Sequence, residues 1–330
     1  MSAAPMTRVT QADDGGIRMA AHVLASGGLV AFPTETVYGL GADACDGTAV
    51  ARLYAAKGRP SFNPLIAHVA DLAAAERLAV FNDQARQLAK AFWPGPLTLV
   101  LPKTPDCRVA DLATAGLDTI ALRVPDHPVA QALLTAFGGP VVAPSANRSG
   151  HVSPTTAGHV MADLRGKIDL VVNGGATPVG IESTIVACLN GRAILLRPGG
   201  LAREAIERVA GPLAGHEREA VAVEAPQAPG MLASHYAPRA RIRLEAEDVR
   251  PGEALLALGA ALPPGAEAAV AVRNLSEGGD LVEAATNLFA HLRALDDAGA
   301  ATIAVMPVPH TGLGEAINDR LARAAAPREP

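Results

Sequence analysis

Aromatic residues make up only 3% of this 330-residue chain, too few to expect a surface on which successive bases stack. Cysteine is scarce as well. Cys45, Cys107 and Cys188 are far apart, odd in number and form no C-x-x-C pair, so neither a disulfide framework nor a zinc site is indicated, and a reducing compartment fits. No apolar run reaches the roughly eighteen residues that spanning a bilayer requires, and the N-terminus lacks a charged-then-apolar signal pattern. These absences point to a cytoplasmic protein with no membrane partner. An excess of positive charge is missing too: 28 Lys+Arg against 33 Asp+Glu leave a net charge of −5, which argues against sequence-blind nucleic-acid binding through a broad basic face but leaves room for a local basic pocket. There is no G-x-x-x-x-G-K-[ST] phosphate loop, so ATP, if used, is held in another way.

What the chain does have is 49% hydrophobic and 18% charged residues, the composition of a well-packed protein. Its length makes two domains the default expectation. Short apolar runs alternate with helical spacing from Ile17 onward, which predicts an α/β fold. Strands are expected at 29–32, 65–69, 97–101, 119–124, 141–143, 168–172, 183–187 and 193–196, and Ser153-Pro154 reads as a helix start. Residues 1–210 form the expected first domain. Pro212, Pro226, Pro229 and Pro238 punctuate a segment of little periodicity, predicting a linker over 211–239. Strand runs at 242–244, 254–258, 268–272 and 302–306, with helical stretches at 281–295 and 313–325, predict a smaller α/β domain with a largely parallel sheet over 240–330.

Polar residues recur just past the expected strand ends, where open α/β sheets bind ligands. Thr34 and Thr36 follow the first strand, and Lys57, Arg59 and Asn63 lie on a second loop; hydroxyls facing two cations and an amide suggest a pocket for an anion. Gly39-x-Gly41-x-x-Ala44 formally matches a dinucleotide fingerprint, but it lies six residues beyond its strand and lacks the acidic residue about twenty positions on. Ordinary roles compete for each candidate. Lys57 and Arg59 could complement a helix end, His68 could be a satisfied core histidine, and Ser145 and Asn147 could form a turn. Ser183 and Thr184 could start a strand, and Arg197 could lie on the surface. Arg123 is harder to dismiss, because a guanidinium between Leu122 and Val124 must find a polar or anionic partner, and its planar fork suits a carboxylate.

Taken together the stretches FPTETVYGLGA from Phe32, AKGRP and NPLIAHV between Ala56 and Val69, WPGPLT from Trp93, AGLDTIALRVP from Ala115, APSANRSG from Ala143, SPT from Ser153, ESTIV from Glu182, LLRPG from Leu195, APGMLASHYAP from Ala228 and GLGEAINDRLARA from Gly312 resemble the YrdC-like family in its longer, two-domain form, the threonylcarbamoyl-AMP synthases. The resemblance implies a YrdC-like twisted mixed sheet flanked by helices, followed by a smaller Rossmann-like domain. It implies that ATP, L-threonine and bicarbonate (or carbon dioxide) give threonylcarbamoyl-adenylate and pyrophosphate, which a separate tRNA threonylcarbamoyl transferase would then use. By the same correspondence Thr36, His68, Arg123, Ser183 and the backbone of Ala143 would hold threonine. Lys57, Arg59, Asn63, Thr119, Ser145, Asn147, Ser153, Arg197 and Tyr236 would contact ATP, with Mg2+ carried in on its phosphates. Tyr236 and the residues from Gly230 onward would close over the occupied site as a lid. Ser234, where relatives often carry a cation, and Arg148 depart from the family pattern. A carbamoyltransferase module using carbamoyl phosphate and a non-enzymatic RNA-binding protein are the rival readings; the first lacks its cysteine-rich fingers here.

Overall fold

The computed structural model describes residues 6–214 and 235–327. The first part of the chain builds a ten-stranded mixed sheet from β1 (Arg8–Gln11), β2 (Val30–Pro33), β3 (Tyr38–Asp43), β4 (Ile66–His68), β5 (Leu97–Pro102), β6 (Thr119–Arg123), β7 (Val141–Val142), β8 (Leu170–Asn173), β9 (Thr184–Leu189) and β10 (Arg192–Arg197), in the spatial order β1-β8-β2-β3-β7-β4-β6-β5-β9-β10. Among the described residues seven α-helices accompany it: α1 (Asp14–Ala25), α2 (Gly47–Lys57), α3 (Leu72–Glu76), α4 (Asp83–Phe92), α5 (Pro128–Phe137), α6 (Ala157–Leu164) and α7 (Arg203–Ala210). The later part forms a four-stranded, all-parallel sheet of β11 (Arg241–Arg243), β12 (Ala254–Ala257), β13 (Val272–Asn274) and β14 (Thr302–Val305), ordered β11-β14-β12-β13, with α8 (Leu281–Asp297) and α9 (Gly314–Ala325). The expected fold class, a mixed sheet followed by a smaller parallel one, is the one observed.

Local chemistry explains most of these elements. Asp13, Asp46, Asp71 and Asn82 cap the first four helices by accepting a backbone N–H, which typically contributes about 1 kcal/mol per helix. Gly58 and Gly138 end α2 and α5 in the left-handed conformation, where a side chain would be strained. Gly39 and Gly41 are not a phosphate loop but part of β3. A Cβ on Gly41 would stand 2.9 Å from the Phe32 ring, so glycine there lets β2 and β3 close.

Two local expectations need correction. Ser153-Pro154 does not start a helix: α6 begins at Ala157, with Thr156 as its cap, because the Ser153 hydroxyl donates to Glu182 (2.5 Å) and the Pro154 carbonyl accepts from Tyr38 N–H (2.9 Å). The strand expected at 268–272 lies at Val272–Asn274, preceded by a 3-10 turn over Ala266–Ala268; a run of alanines carries no register. The sequence reading also missed β1, β3 and α7. In α7 only Ile206 is buried, and β1 is largely exposed, so neither shows a strong apolar pattern.

The two parts share an apolar cluster: Val37, Val152 and Ile181 pack with Tyr236, Leu288, Phe289, Ile303 and Ile317. Of the expected linker, 215–234 lies outside the described residues, including Pro226, Pro229, Ser234 and the part of the expected lid from Gly230 to Ser234.

Candidate active site

The loop between β2 and β3 is built by Thr34. Its hydroxyl donates to the Val37 carbonyl (2.8 Å) and accepts the N–H groups of Thr36 and Val37, a hydroxyl-capped turn that needs no glycine. The turn aims Glu35 and Thr36 at the carboxyl end of β6. There Arg123 Nη2 donates to Glu35 Oε1 at 2.6 Å and to Thr36 Oγ1 at 2.9 Å, while Nε reaches the Gly95 carbonyl at 3.3 Å. Arg123 thus has a carboxylate partner within the chain, Glu35, in addition to the substrate carboxylate expected for it. Sequence reasoning passed over Glu35, although an acid in so apolar a stretch requires a counter-ion. Its Oε2 is buried without a hydrogen-bond partner among the described residues.

His68 sits beside Arg123 because β4 and β6 run parallel with these residues in register. Burial, then the neighbouring Arg123, pushes its pKa down to about 3, so the imidazole is neutral near pH 7. On β9's edge the Ser183 hydroxyl is paired with Thr98 Oγ1 at 2.8 Å and takes Arg197 Nη2 at 3.3 Å; Arg197 also donates twice to the Ser183 carbonyl.

The loop after β7 is fixed from two sides. Leu40 N–H donates to the Pro144 carbonyl and Ala146 N–H to the Tyr38 carbonyl. From the other side Lys57 Nζ donates to the carbonyls of Ser145 (2.5 Å) and Asn147 (2.6 Å). Burial, and then Arg59, holds the Lys57 pKa well below its ordinary value. Arg59 donates to the Pro64 carbonyl at 3.2 Å, and its buried Nε has no partner among the described residues. Burial lowers its pKa to about 10, with Arg197 adding to the shift. Several cations therefore raise one another's energy around one spot, the electrostatic signature of a site prepared for an anion.

Thr36, His68, Arg123, Ala143, Ser183, Arg59, Ser145, Arg197 and Tyr236 all line a single cavity of about 50 Å³, together with Glu182 and His235. Lys57, Asn63, Thr119, Asn147 and Ser153 do not line it. Lys57 and Asn147 brace the loop behind Ser145, with Asn147 Nδ2 donating to the Arg148 and His151 carbonyls. The Asn63 carbonyl accepts from the Tyr54 hydroxyl, Ser153 holds Glu182, and Thr119 begins β6 about 13 Å from Arg123 at roughly 3.3 Å per residue. A second cleft, about 970 Å³, is lined by Gly58, Arg148 to Val152, Ala237 and Pro238 among others, and shares no lining residue with the first. Tyr236 is fully buried, stacked 5.5 Å from Phe289 with Arg320 over its ring at 5.2 Å. Among the described residues no group of three or more His, Cys, Asp or Glu could hold a metal ion, and no helix is long and apolar enough to cross a membrane.

Residues 22–199 match the Sua5/YciO/YrdC family, described as "Telomere recombination", and residues 201–326 match the domain described as "Threonylcarbamoyl-AMP synthase, C-terminal domain". A Bacillus subtilis protein named threonylcarbamoyl-AMP synthase is 43% identical over 328 residues, covering 96% of this chain and 94% of its own. A Schizosaccharomyces pombe protein of the same name is 39% identical over 348 residues, covering 90% and 85%. The crystal structure of Pyrococcus abyssi Sua5 complexed with L-threonine superposes with a TM-score of 0.85 at 40% identity, covering 97% of each chain. With both halves matched in order and relatives alike over nearly its whole length, the chain belongs to the Sua5/YciO/YrdC family, in the long form that carries the threonylcarbamoyl-AMP synthase C-terminal domain.

Proposed function

We propose that this protein is an L-threonylcarbamoyladenylate synthase, a nucleotidyltransferase that joins L-threonine, carbon dioxide from bicarbonate, and ATP. One observation carries the reading: residues from stretches distant in sequence, Thr36, Arg59, Arg123, Ser145, Ser183 and Arg197, line the same cavity. Threonine's amine, as its neutral form, adds to carbon dioxide and loses a proton; the carbamate oxygen then attacks the α-phosphorus of ATP, and pyrophosphate leaves. Neither step needs a protein nucleophile, so positioning and charge stabilisation are what the chain must supply.

In this reading Arg123, its plane set by Glu35 and Thr36, takes the threonine carboxylate. Thr36, neutral His68 and Ser183, with the Ala143 backbone, complete the amino-acid end. A site that hydrogen-bonds the substrate hydroxyl rejects valine, which would leave buried polar groups unpaired. Arg59, Arg197, Ser145 and Tyr236 take the nucleotide, with Lys57 and Asn147 bracing that wall. Asn63, Thr119 and Ser153 belong to the proposed nucleotide set by family correspondence. The carboxylates nearest the cavity are already engaged, Glu35 by Arg123 and Glu182 by Ser153 and Arg320. This fits an Mg2+ ion brought in on the phosphates, where it would neutralise developing charge, rather than one held in a protein-built cage. The 50 Å³ cavity is far below the roughly 300–1,000 Å³ of ligand pockets, so its walls must part for both substrates. The reactive carbamoyl-adenylate suits transfer to a tRNA adenosine by a separate transferase, and we place the enzyme in the cytoplasm.

The test is incubation with ATP, Mg2+, bicarbonate and L-threonine while following pyrophosphate release, with serine, valine and no-bicarbonate controls. Release dependent on both threonine and bicarbonate is expected. Release indifferent to the amino acid would reject the assignment, and RNA affinity that survives physiological salt would favour the RNA-binding alternative.

A further inference from the structure

A carboxylate stands where the proposed function leaves no place for one. Glu182 lines the same cavity as Arg59 and Arg197 and is buried, yet a polyphosphate entering there would meet a negative wall. Burial by itself would push this carboxyl up, but Arg320 and Arg197, with the hydrogen bonds from Ser153 and Arg320, hold it below its ordinary range. The carboxylate is therefore charged, and something must offset it.

Arg320 is the group that does so, and it comes from α9 of the C-terminal domain. Its side chain is wholly inaccessible to solvent, and it does not line the cavity. Nε donates to Glu182 Oε2 at 2.9 Å, and Nη1 donates to the Pro198 carbonyl at 2.9 Å and to Asp319 Oδ2 at 2.6 Å. The guanidinium also covers the Tyr236 ring. One side chain thus reaches two residues of the cavity wall, Glu182 and Tyr236, and the residue that follows a third, Arg197. The segment leading to Glu182 is held by the same domain. Gly180 has a φ of +79°, and a Cβ there would lie 2.5 Å from Thr286 Cα of α8, while the Thr286 hydroxyl donates to the Pro178 carbonyl at 2.7 Å. The planar guanidinium meets the carboxylate through Nε and the carbonyl through Nη1 in directions that its rigid geometry fixes.

We propose that Arg320 is a positioning residue for the nucleotide half of the cavity: it supplies the counter-charge for Glu182 from outside the cavity, so that this wall accepts a polyphosphate. The C-terminal domain then completes the site without touching the reacting atoms. This rests on the cavity being a nucleotide and threonine site.

The full chain is titrated with a non-hydrolysable ATP analogue in Mg2+ and, separately, with L-threonine. If the parent protein binds neither, the functional reading fails, whatever Arg320 does. If it binds both, Arg320→Met is expected to weaken the analogue at least tenfold while threonine affinity stays within threefold. The double variant Arg320→Met, Glu182→Gln is expected to regain most of the lost affinity, because the charge needing compensation has gone. An interdomain contact with no electrostatic role would show no such rescue. Unchanged analogue binding in Arg320→Met, equal losses for both ligands, or a double variant no better than the single would overturn the proposal. Should Arg320→Met fail to fold, Glu182→Gln alone decides. It is expected to bind the analogue at least as tightly as the parent, and weakening beyond threefold would overturn the proposal.

Discussion

The two ends of the cavity are built differently. The proposed threonine end draws on the catalytic sheet alone: Arg123 and His68 stand at the ends of adjacent parallel strands, and Glu35 and Thr36 lie on a hairpin turn beside them. The proposed nucleotide end is composite, since Tyr236 is stacked in the C-terminal domain's core and Glu182 is met by Arg320 of α9. A small zwitterion can be recognised by a rigid, internally paired corner. A polyphosphate needs more cations than one sheet edge provides without mutual repulsion, and a second domain can offset the charges left over.

The largest break in this comparison is expected from Arg123→Ala. Losing one partner of a buried, hydrogen-bonded charge pair costs about 2–5 kcal/mol, so threonine-dependent kcat/KM should fall on the order of a thousandfold. Because Glu35 would then be left unpaired, the double variant Arg123→Ala, Glu35→Gln should recover thermal stability but not threonine use. Recovery of both would show that Arg123 is only structural. Arg59→Ala addresses the other end: losing hydrogen bonds to a charged group at about 1.5–3 kcal/mol each should raise the KM for ATP up to about a hundredfold, with little change in that for threonine. Parallel changes in both constants would erase the division.

Acid should act on both ends together. His68 and His235 are held neutral, their pKa pushed from an ordinary 6.5 to about 3, in each case first by burial. The unfolded chain binds the extra protons between those values, so stability is fully present above pH 6.5 and is lost as pH falls. The two groups together should cost about 2.5 kcal/mol between pH 7 and 5.5. Thermal melts across that range should show the slope, to which His159, also lowered, adds its share, and His68→Gln and His235→Gln should each remove about 1.2 kcal/mol of it; a slope unchanged in both variants would contradict their buried neutral state. The smallest effect is expected from Thr98→Val, which removes the hydroxyl paired with Ser183. At about 1 kcal/mol for one hydrogen bond, the KM for threonine should rise about fivefold and that for ATP should not. A rise confined to ATP would move Ser183 to the other end.

Much of the fold was legible because its elements carry local signals. The cap Asp71, the stop at Gly138 and the apolar runs of β5 and β6 are properties of a few adjacent residues. Ser153 shows the limit of such signals: its helix-start pattern is overridden by a bond to Glu182, 29 residues away. The site followed the same division. Arg123 announced a need for a partner through its apolar neighbours, but not that Glu35 would meet it. Lys57 was legible as a cation beside the pocket, whereas its bonds to the Ser145 and Asn147 carbonyls arise only when α2 packs against the loop after β7. Arg320 lies in the GLGEAINDRLARA stretch that carries the family resemblance, but no role could be read for it, since an arginine in an amphipathic helix that also holds Arg323 reads as solvent-facing.

The central claim, one cavity that presents a carbamate to phosphorus, is tested most directly by a crystal structure with L-threonine, Mg2+ and a non-hydrolysable ATP analogue. The account predicts the threonine carboxylate within hydrogen-bond distance of Arg123 and its amine facing the α-phosphate, with the phosphates against Arg59 and Arg197. Threonine and the analogue bound in separate cavities, or the threonine carboxylate away from Arg123, would contradict it.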